Sequence, residues 1–422
     1  MLHEIDPEKH GPLGPEMAAA VSTCVHCGFC LAACPTYKVL GQETDSPRGR
    51  IVLMKEVLEG SLPLEAATPH LDPCLGCLAC EPACPSGVAY RDLISPFRAA
   101  SETRRNRPMG ERFRRLLTRM TLPYPGRFRL AAQTGRFAKP LARWLPKGMR
   151  VMLDLLPDRL PTRQTWDGVY PAAGTKRGRV ALLTGCAQSV LDPDINTATI
   201  EVLTRNGVEV VVPQKQGCCG ALSWHVGDLG RAREFAGRNL LAFPTDVDAI
   251  VTNAAGCGSG MHEYRQILKG TSQEEEASAF SSKVCDVSVY LTQLGDLETV
   301  PDTGRKLRIA YHDACHLANA QNVRQQPRSL LQAIPGVNLC EIADAHLCCG
   351  SAGTYNIDQP EVADTLGREK AENIVSTQAD LVATGNIGCM TQIKTHLARS
   401  HSGIPVRHTM QVLRDAYAGK VI

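Results

Sequence analysis

The chain has 422 residues, with 46 Lys and Arg against 43 Asp and Glu. At about 150 residues per domain, this length predicts two to four domains, each able to bury its own core. A net charge of +3 carries no global nucleic-acid signature. No apolar run approaches the ~18–20 residues that cross a bilayer. The opening MetLeuHisGluIleAspProGluLysHis has neither the basic nor the apolar region of a secretory signal. The departure from average composition is 18 cysteines. In a reducing cytoplasm that number points to metal ligation or redox chemistry, not to a disulfide framework.

The first eight cysteines form two copies of one motif: Cys24, Cys27, Cys30, Cys34-Pro35 and Cys74, Cys77, Cys80, Cys84-Pro85. The x2, x2, x3 spacing ending in Cys-Pro is that of two-cluster ferredoxins. Three thiolates at x2 intervals wrap one face of a cube, and the fourth, before proline, reaches the other cube. The expected ligands are therefore Cys24, Cys27, Cys30 and Cys84 for one [4Fe–4S] cluster, and Cys74, Cys77, Cys80 and Cys34 for a second. Two zinc sites, each held by four cysteine thiolates, are the competing reading, but zinc ribbons separate their cysteine pairs by a longer loop. Between the motifs, Ser46-Pro47 predicts the start of a helix that ends at Gly60 and holds the motifs together.

Residues 98–150 hold no cysteine and carry 15 basic residues against two acidic ones, a net +13, so the remainder carries −10. Arginines interleaved with Phe113, Leu116, Leu117 and Trp144 predict basic amphipathic helices. These would lie on an anionic membrane surface or dock on an acidic partner or the acidic remainder of the chain. Pro157, Pro161, Gly168, Pro171 and Gly174 mark a linker.

Beyond it, strands are expected at 180–184, 208–212 and 249–252, with a helix over 194–206. Strands are expected again at 307–311, 337–342 and 381–384, with a helix near 324–333. This alternation predicts parallel, doubly wound sheets. It is also a repeat. Cys186, Cys218-Cys219-Gly220 and Cys257 recur as Cys315, Cys348-Cys349-Gly350 and Cys389, offset by 129 to 132 residues. Each half gathers four sulfurs near the carboxyl ends of its strands, a candidate metal or thiol redox site. His316 and His346 are candidate extra ligands. Glu274–Glu276 reads as a solvated loop, and Cys285 and Cys340 as buried free thiols.

The expected class is α+β multidomain. A helical two-[4Fe–4S] ferredoxin-like domain spans 1–97 and a basic helical linker 98–176. Tandem α/β CysCysGly domains with parallel sheets follow at 177–300 and 301–422.

CysValHisCysGlyPheCysLeuAlaAlaCysProThrTyr, SerProArgGlyArgIle, GlyCysCysGlyAla and HisLeuCysCysGlySerAlaGlyThrTyr together resemble the iron–sulfur subunits of bacterial glycolate oxidase. The likeness covers nearly the whole chain, within a wider group of CysCysGly-domain proteins. It implies an electron-carrying subunit that works with FAD-containing subunits oxidising glycolate to glyoxylate, and passes electrons towards quinone. The implied location is the cytoplasm, peripherally on the inner face of the membrane. Lactate and glycerol-3-phosphate dehydrogenase subunits are alternatives, as is a disulfide reductase using the CysCysGly sites. In heterodisulfide reductase each CysCysGly domain ends in a fifth cysteine; here Gly260 and Gln392 stand in that place. The chain shows no Gly-x-Gly-x-x-Gly fingerprint after a strand, so FAD is expected on partner subunits only. No residue is assigned a catalytic role.

Overall fold

A computed structural model describes residues 1–145 and 147–420; the side chains of 141–143 and 147, among them Arg143 and Lys147 of the basic segment, lie outside the described set. The N-terminal region is a cluster of short helices: Gly14–Thr23, Pro47–Glu59, Leu64–Leu71 and Arg91–Ser101. They bury Met17, Val21, Ile51, Met54, Leu71, Leu93 and Phe97 in one core. The helix expected after Ser46 is present. Ser46 Oγ accepts from the Gly49 N–H at 3.1 Å, and Gly60 closes the helix in a left-handed conformation (φ 83°). Such a cap is worth about 1 kcal/mol. The buried face of this helix, Arg50, Ile51 and Met54, stands between the two cysteine motifs.

Two sheets follow. The first contains β1 (Gly168–Tyr170), β2 (Gly178–Leu183), β3 (Val208–Val212), β4 (Ala249–Thr252) and β5 (Val284–Asp286), in the order β1-β3-β2-β4-β5. Only β1 runs antiparallel to its neighbour. The second contains β6 (Leu307–Tyr311), β7 (Val337–Cys340), β8 (Leu381–Thr384) and β9 (Val406–His408), all parallel, in the order β7-β6-β8-β9. With β1 set aside, the two orders are the same permutation, which is the structural form of the sequence repeat. In each half the chain leaves the central strand to one side and returns on the other. The carboxyl ends of β2 and β4, and of β6 and β8, are therefore topological switch points, where open α/β sheets bind ligands.

Parallel sheets need both faces covered, and strand alternation shows how this is met. Val180 and Leu182 enter one core, Ala181 and Leu183 another. The first of these cores also takes Ile309, Tyr311, Leu381 and Ala383 from the second sheet. Helices Asp194–Arg205, Val287–Leu294, Gln325–Gln332 and Thr409–Tyr417 supply the layer between the sheets. The two halves thus share one apolar interior. His408 Nε2 bonded to the Asn253 carbonyl at 2.8 Å ties them further.

Several local expectations change. The linker contributes β1, and β5 and β9, too short to stand out in the sequence, extend the sheets. The strand expected to reach Ile342 ends at Cys340. Glu274–Glu276 do not form a loop: they make the first turn of helix Glu274–Ser282, where carboxylates face the positive helix end. Cys285 and Cys340 are only half-buried, because β5 and β7 are edge strands.

The basic segment forms helices Met109–Thr121 and Pro125–Ala138. Its arginines largely turn inward onto acids of the same chain. Arg105 pairs with Asp72; Arg107 with Asp72 and Glu102; Arg114 with Asp358; Arg115 with Glu102; Arg119 with Glu102 and Asp228. Met109, Phe113, Leu116 and Met120, spaced along one helix face, are large apolar side chains left outward. No helix among the described residues is long and apolar enough to cross a membrane.

Candidate metal centres

The two ferredoxin-like loops share a backbone device. The second and fourth residues after the first cysteine are left-handed in both: His26 and Gly28 in one loop, Gly76 and Leu78 in the other (φ 57°, 85°, 63° and 57°). Left-handed His and Leu are unfavourable alone and persist only where the surroundings demand them. The demand here is to curl each loop so that its sulfurs face one point. A small cavity is lined by Cys24, Cys27, Cys30, Cys80 and Cys84. A second is lined by Cys34, Cys74, Cys77 and Cys80. The lining of each thus mixes sulfurs from both motifs.

The two cavities differ in exposure. Cys27 is exposed, flanked by Val25 and Phe29 at 64% and 67% exposure. Cys34, Cys74, Cys77 and Cys80 are buried. Burial pushes the Cys77 and Cys80 thiols far up. Burial also opposes ionisation of Cys74, but the Arg50 and Arg98 guanidinium groups outweigh it and bring that thiol below its ordinary range. Arg50 is itself buried (1% exposed), donating to Thr36 Oγ1 at 2.8 Å and the His70 carbonyl at 2.7 Å. A buried cation beside clustered sulfurs suits an anionic, thiolate-ligated group. An all-thiol donor set in a cradle with Ala33, Gly28 and Ala79 fits iron–sulfur cubanes.

The CysCysGly cysteines converge more than their separation suggests. All eight line one cavity of about 320 Å³ between the halves: Cys186, Cys218, Cys219 and Cys257 from the first; Cys315, Cys348, Cys349 and Cys389 from the second. Cys186 and Cys218 sulfurs are 3.5 Å apart, and Cys315 and Cys348 3.8 Å. In the first half the crowding of neighbouring thiols and burial push the Cys218 and Cys257 thiols up. Cys74 borders this cavity as well as the second ferredoxin-like one, and Arg105, Arg107, Arg114 and Arg115 line its wall.

The histidines divide. His316 lines the cavity; burial lowers its pKa to about 4. Its ring sits edge-on to His225 at 5.0 Å, another imidazole that desolvation keeps neutral. His346 is exposed and is not among the lining residues. Sequence spacing gave no sign of His225, nor of His312, whose ring lies with the Cys349 and Cys389 sulfurs. The fifth-cysteine positions are closed by packing. A Cβ at Gly260 would stand 2.4 Å from the Ala221 Cβ. Gln392 is buried, accepting from Asn356 at 3.1 Å.

This architecture, a cysteine-cradled pair of cavities opening towards duplicated CysCysGly sheets, defines a class: iron–sulfur electron-transfer subunits. Residues 20–88 match the 4Fe-4S dicluster domain, and residues 180–262 and 309–394 match the cysteine-rich domain. Iron–sulfur clusters are thus its cofactors. The chain is 37% identical to the probable glycolate oxidase iron-sulfur subunit of Bacillus subtilis, over 94% of both chains. It is 37% identical to the glycolate oxidase iron-sulfur subunit of Escherichia coli, over 95% of both. Lactate utilization protein A of Oceanobacillus iheyensis is more distant, at 28% identity over 58% of this chain and 99% of that one. The chain belongs to the family of glycolate oxidase iron-sulfur subunits.

Proposed function

We propose that the chain is the electron relay of a glycolate-oxidising complex, with substrate oxidation on FAD-containing partner subunits. Bound iron–sulfur clusters would supply one-electron transfer. The observation that carries this reading is continuity: Cys80 borders the first and second cavities, and Cys74 the second and the central one. The chain's own residues would hold sulfurs in series from a solvent-facing edge at Cys27 to the interior. Arg50 and Arg98 offset negative charge in the middle of that series.

In this reading Cys24, Cys27, Cys30 and Cys84 hold one [4Fe–4S] cluster and Cys74, Cys77, Cys80 and Cys34 the other, as the cavity linings favour. The central cavity's eight cysteines hold further iron–sulfur metal. The working units are residues 1–97, 98–176, 177–300 and 301–422. The exposed stripe Met109, Phe113, Leu116 and Met120 docks on a flavin subunit, since the arginines behind it are already paired within the chain. Quinone as final acceptor, and a peripheral seat on the inner membrane face, extend the same reading. The exposed Arg112 beside the stripe favours such a seat.

Anaerobic co-purification with the flavin subunits tests the proposal. Iron and acid-labile sulfide should exceed the content of two cubanes, and glycolate should bleach the iron–sulfur absorbance only when flavin is present. Zinc without sulfide would contradict it. Pull-down and vesicle flotation of a Phe113→Ser, Leu116→Ser variant separate subunit docking from membrane contact.

A further inference from the structure

The two CysCysGly halves differ at matched positions beside their sulfurs. Three residues before the first cysteine stands Leu183 in one half and His312 in the other; three before the last stands Ala254 in one half and Asn386 in the other. Two apolar side chains in the first half are thus two polar ones in the second.

His312 follows β6 directly, its N–H donating to the Ala383 carbonyl at 2.9 Å, so the ring is fixed at the carboxyl end of the sheet. A ring nitrogen and the sulfurs of Cys349 and Cys389 all lie within 4.8 Å of one another, and all three residues are buried. His312 is 1% exposed, yet neither ring nitrogen has a hydrogen-bond partner. A buried imidazole with both nitrogens unmatched is a costly exception to the pairing of buried polar groups, and it calls for a partner. Asn386 Nδ2 donates to Cys389 Sγ at 3.3 Å, the outer contact expected around a thiolate that holds metal. A Cβ at Gly350 would sit 2.8 Å from the Ala363 carbonyl oxygen, so the loop bearing Cys349 is held tightly in place.

We infer that His312 is a nitrogen ligand of the second half's metal centre, beside Cys349 and Cys389, while the first half binds through sulfur alone. This rests on the proposal that the CysCysGly halves hold iron–sulfur metal. Imidazole is a good ligand for iron, and as a neutral donor it adds no negative charge, so exchanging it for a thiolate would lower the reduction potential. The two halves then differ in donor set, sulfur alone in the first and sulfur with nitrogen in the second.

The test uses the anaerobically purified complex with the wild-type chain, His312→Leu and His312→Cys. Iron and sulfide are counted, and pulsed EPR is recorded on oxidised and reduced samples. Wild type should show a centre beyond the two cubanes with strong nitrogen coupling. Both variants should lose that coupling. His312→Cys should keep the metal and shift the midpoint potential of that centre downward, a change that a merely structural histidine would not produce. A further centre without nitrogen coupling, or coupling unchanged in His312→Cys, overturns the histidine ligand and leaves metal in the halves standing. Iron at the two-cubane level with no further signal overturns both.

Discussion

The N-terminal loops and the CysCysGly halves gather sulfur by opposite means. In the loops, eight cysteines within residues 24–84 are brought together by local spacing and two left-handed residues per turn. In the halves, cysteines more than 200 residues apart meet because two parallel sheets share an interior and aim their switch points at one cavity. The first arrangement tolerates change in the surrounding fold and not in the motif. The second depends on packing as much as on any cysteine.

The largest effects should come from the loops. Cys34→Ser should damage the cluster whose other proposed ligands are Cys74, Cys77 and Cys80, and Cys84→Ser the one of Cys24, Cys27 and Cys30. EPR of each variant reads which signal is lost, and loss within the same motif would break the crossed arrangement. Arg50→Leu comes next: it leaves buried Asp45 with His70 but without its guanidinium, and removes the charge near Cys34 and Cys74. Breaking a buried pair typically costs ~3–5 kcal/mol, which anaerobic denaturant titration should register alongside a lowered cluster potential.

In the halves, Gly260→Cys restores a fifth cysteine but drives its Cβ into Ala221. Overpacking of this kind costs about 1–3 kcal/mol. The added change Ala221→Gly should recover part of that loss, since the Ala221 Cα still stands 2.9 Å away; thermal melts of the single and double variants compare them.

The smallest effect concerns Glu263, whose carboxyl is pushed up to about 7 chiefly by burial. Between its ordinary value of 4.5 and about 7 the folded chain binds more protons than the unfolded one, so this group makes stability fall as pH rises through that window. Glu263→Gln should flatten that slope, seen as a smaller difference between melts at about pH 5 and about pH 8.

The contrast also explains what could be read in the sequence. Strong local signals gave the helix at Ser46-Pro47, the strands at 180–184 and 307–311, and the repeat, because capping and buried apolar runs act over a few residues. The short edge strands β5 and β9 did not show, since three residues carry no period. Docking of the basic segment on the acidic remainder was among the expectations, but its partners, Asp358 for Arg114 and Asp228 for Arg119, were hidden, because composition shows charge but not the distant acids that meet it. His225 and His312 gave no spacing signal because their neighbours at the site come from other strands and helices.

The central claim is that electrons pass through this chain from a flavin partner. Freeze-quench EPR after anaerobic mixing with glycolate tests it most directly. Iron–sulfur signals should grow in the complex containing the flavin subunits and stay absent in the flavin-free chain. Rapid reduction of the flavin-free chain by glycolate would contradict the account.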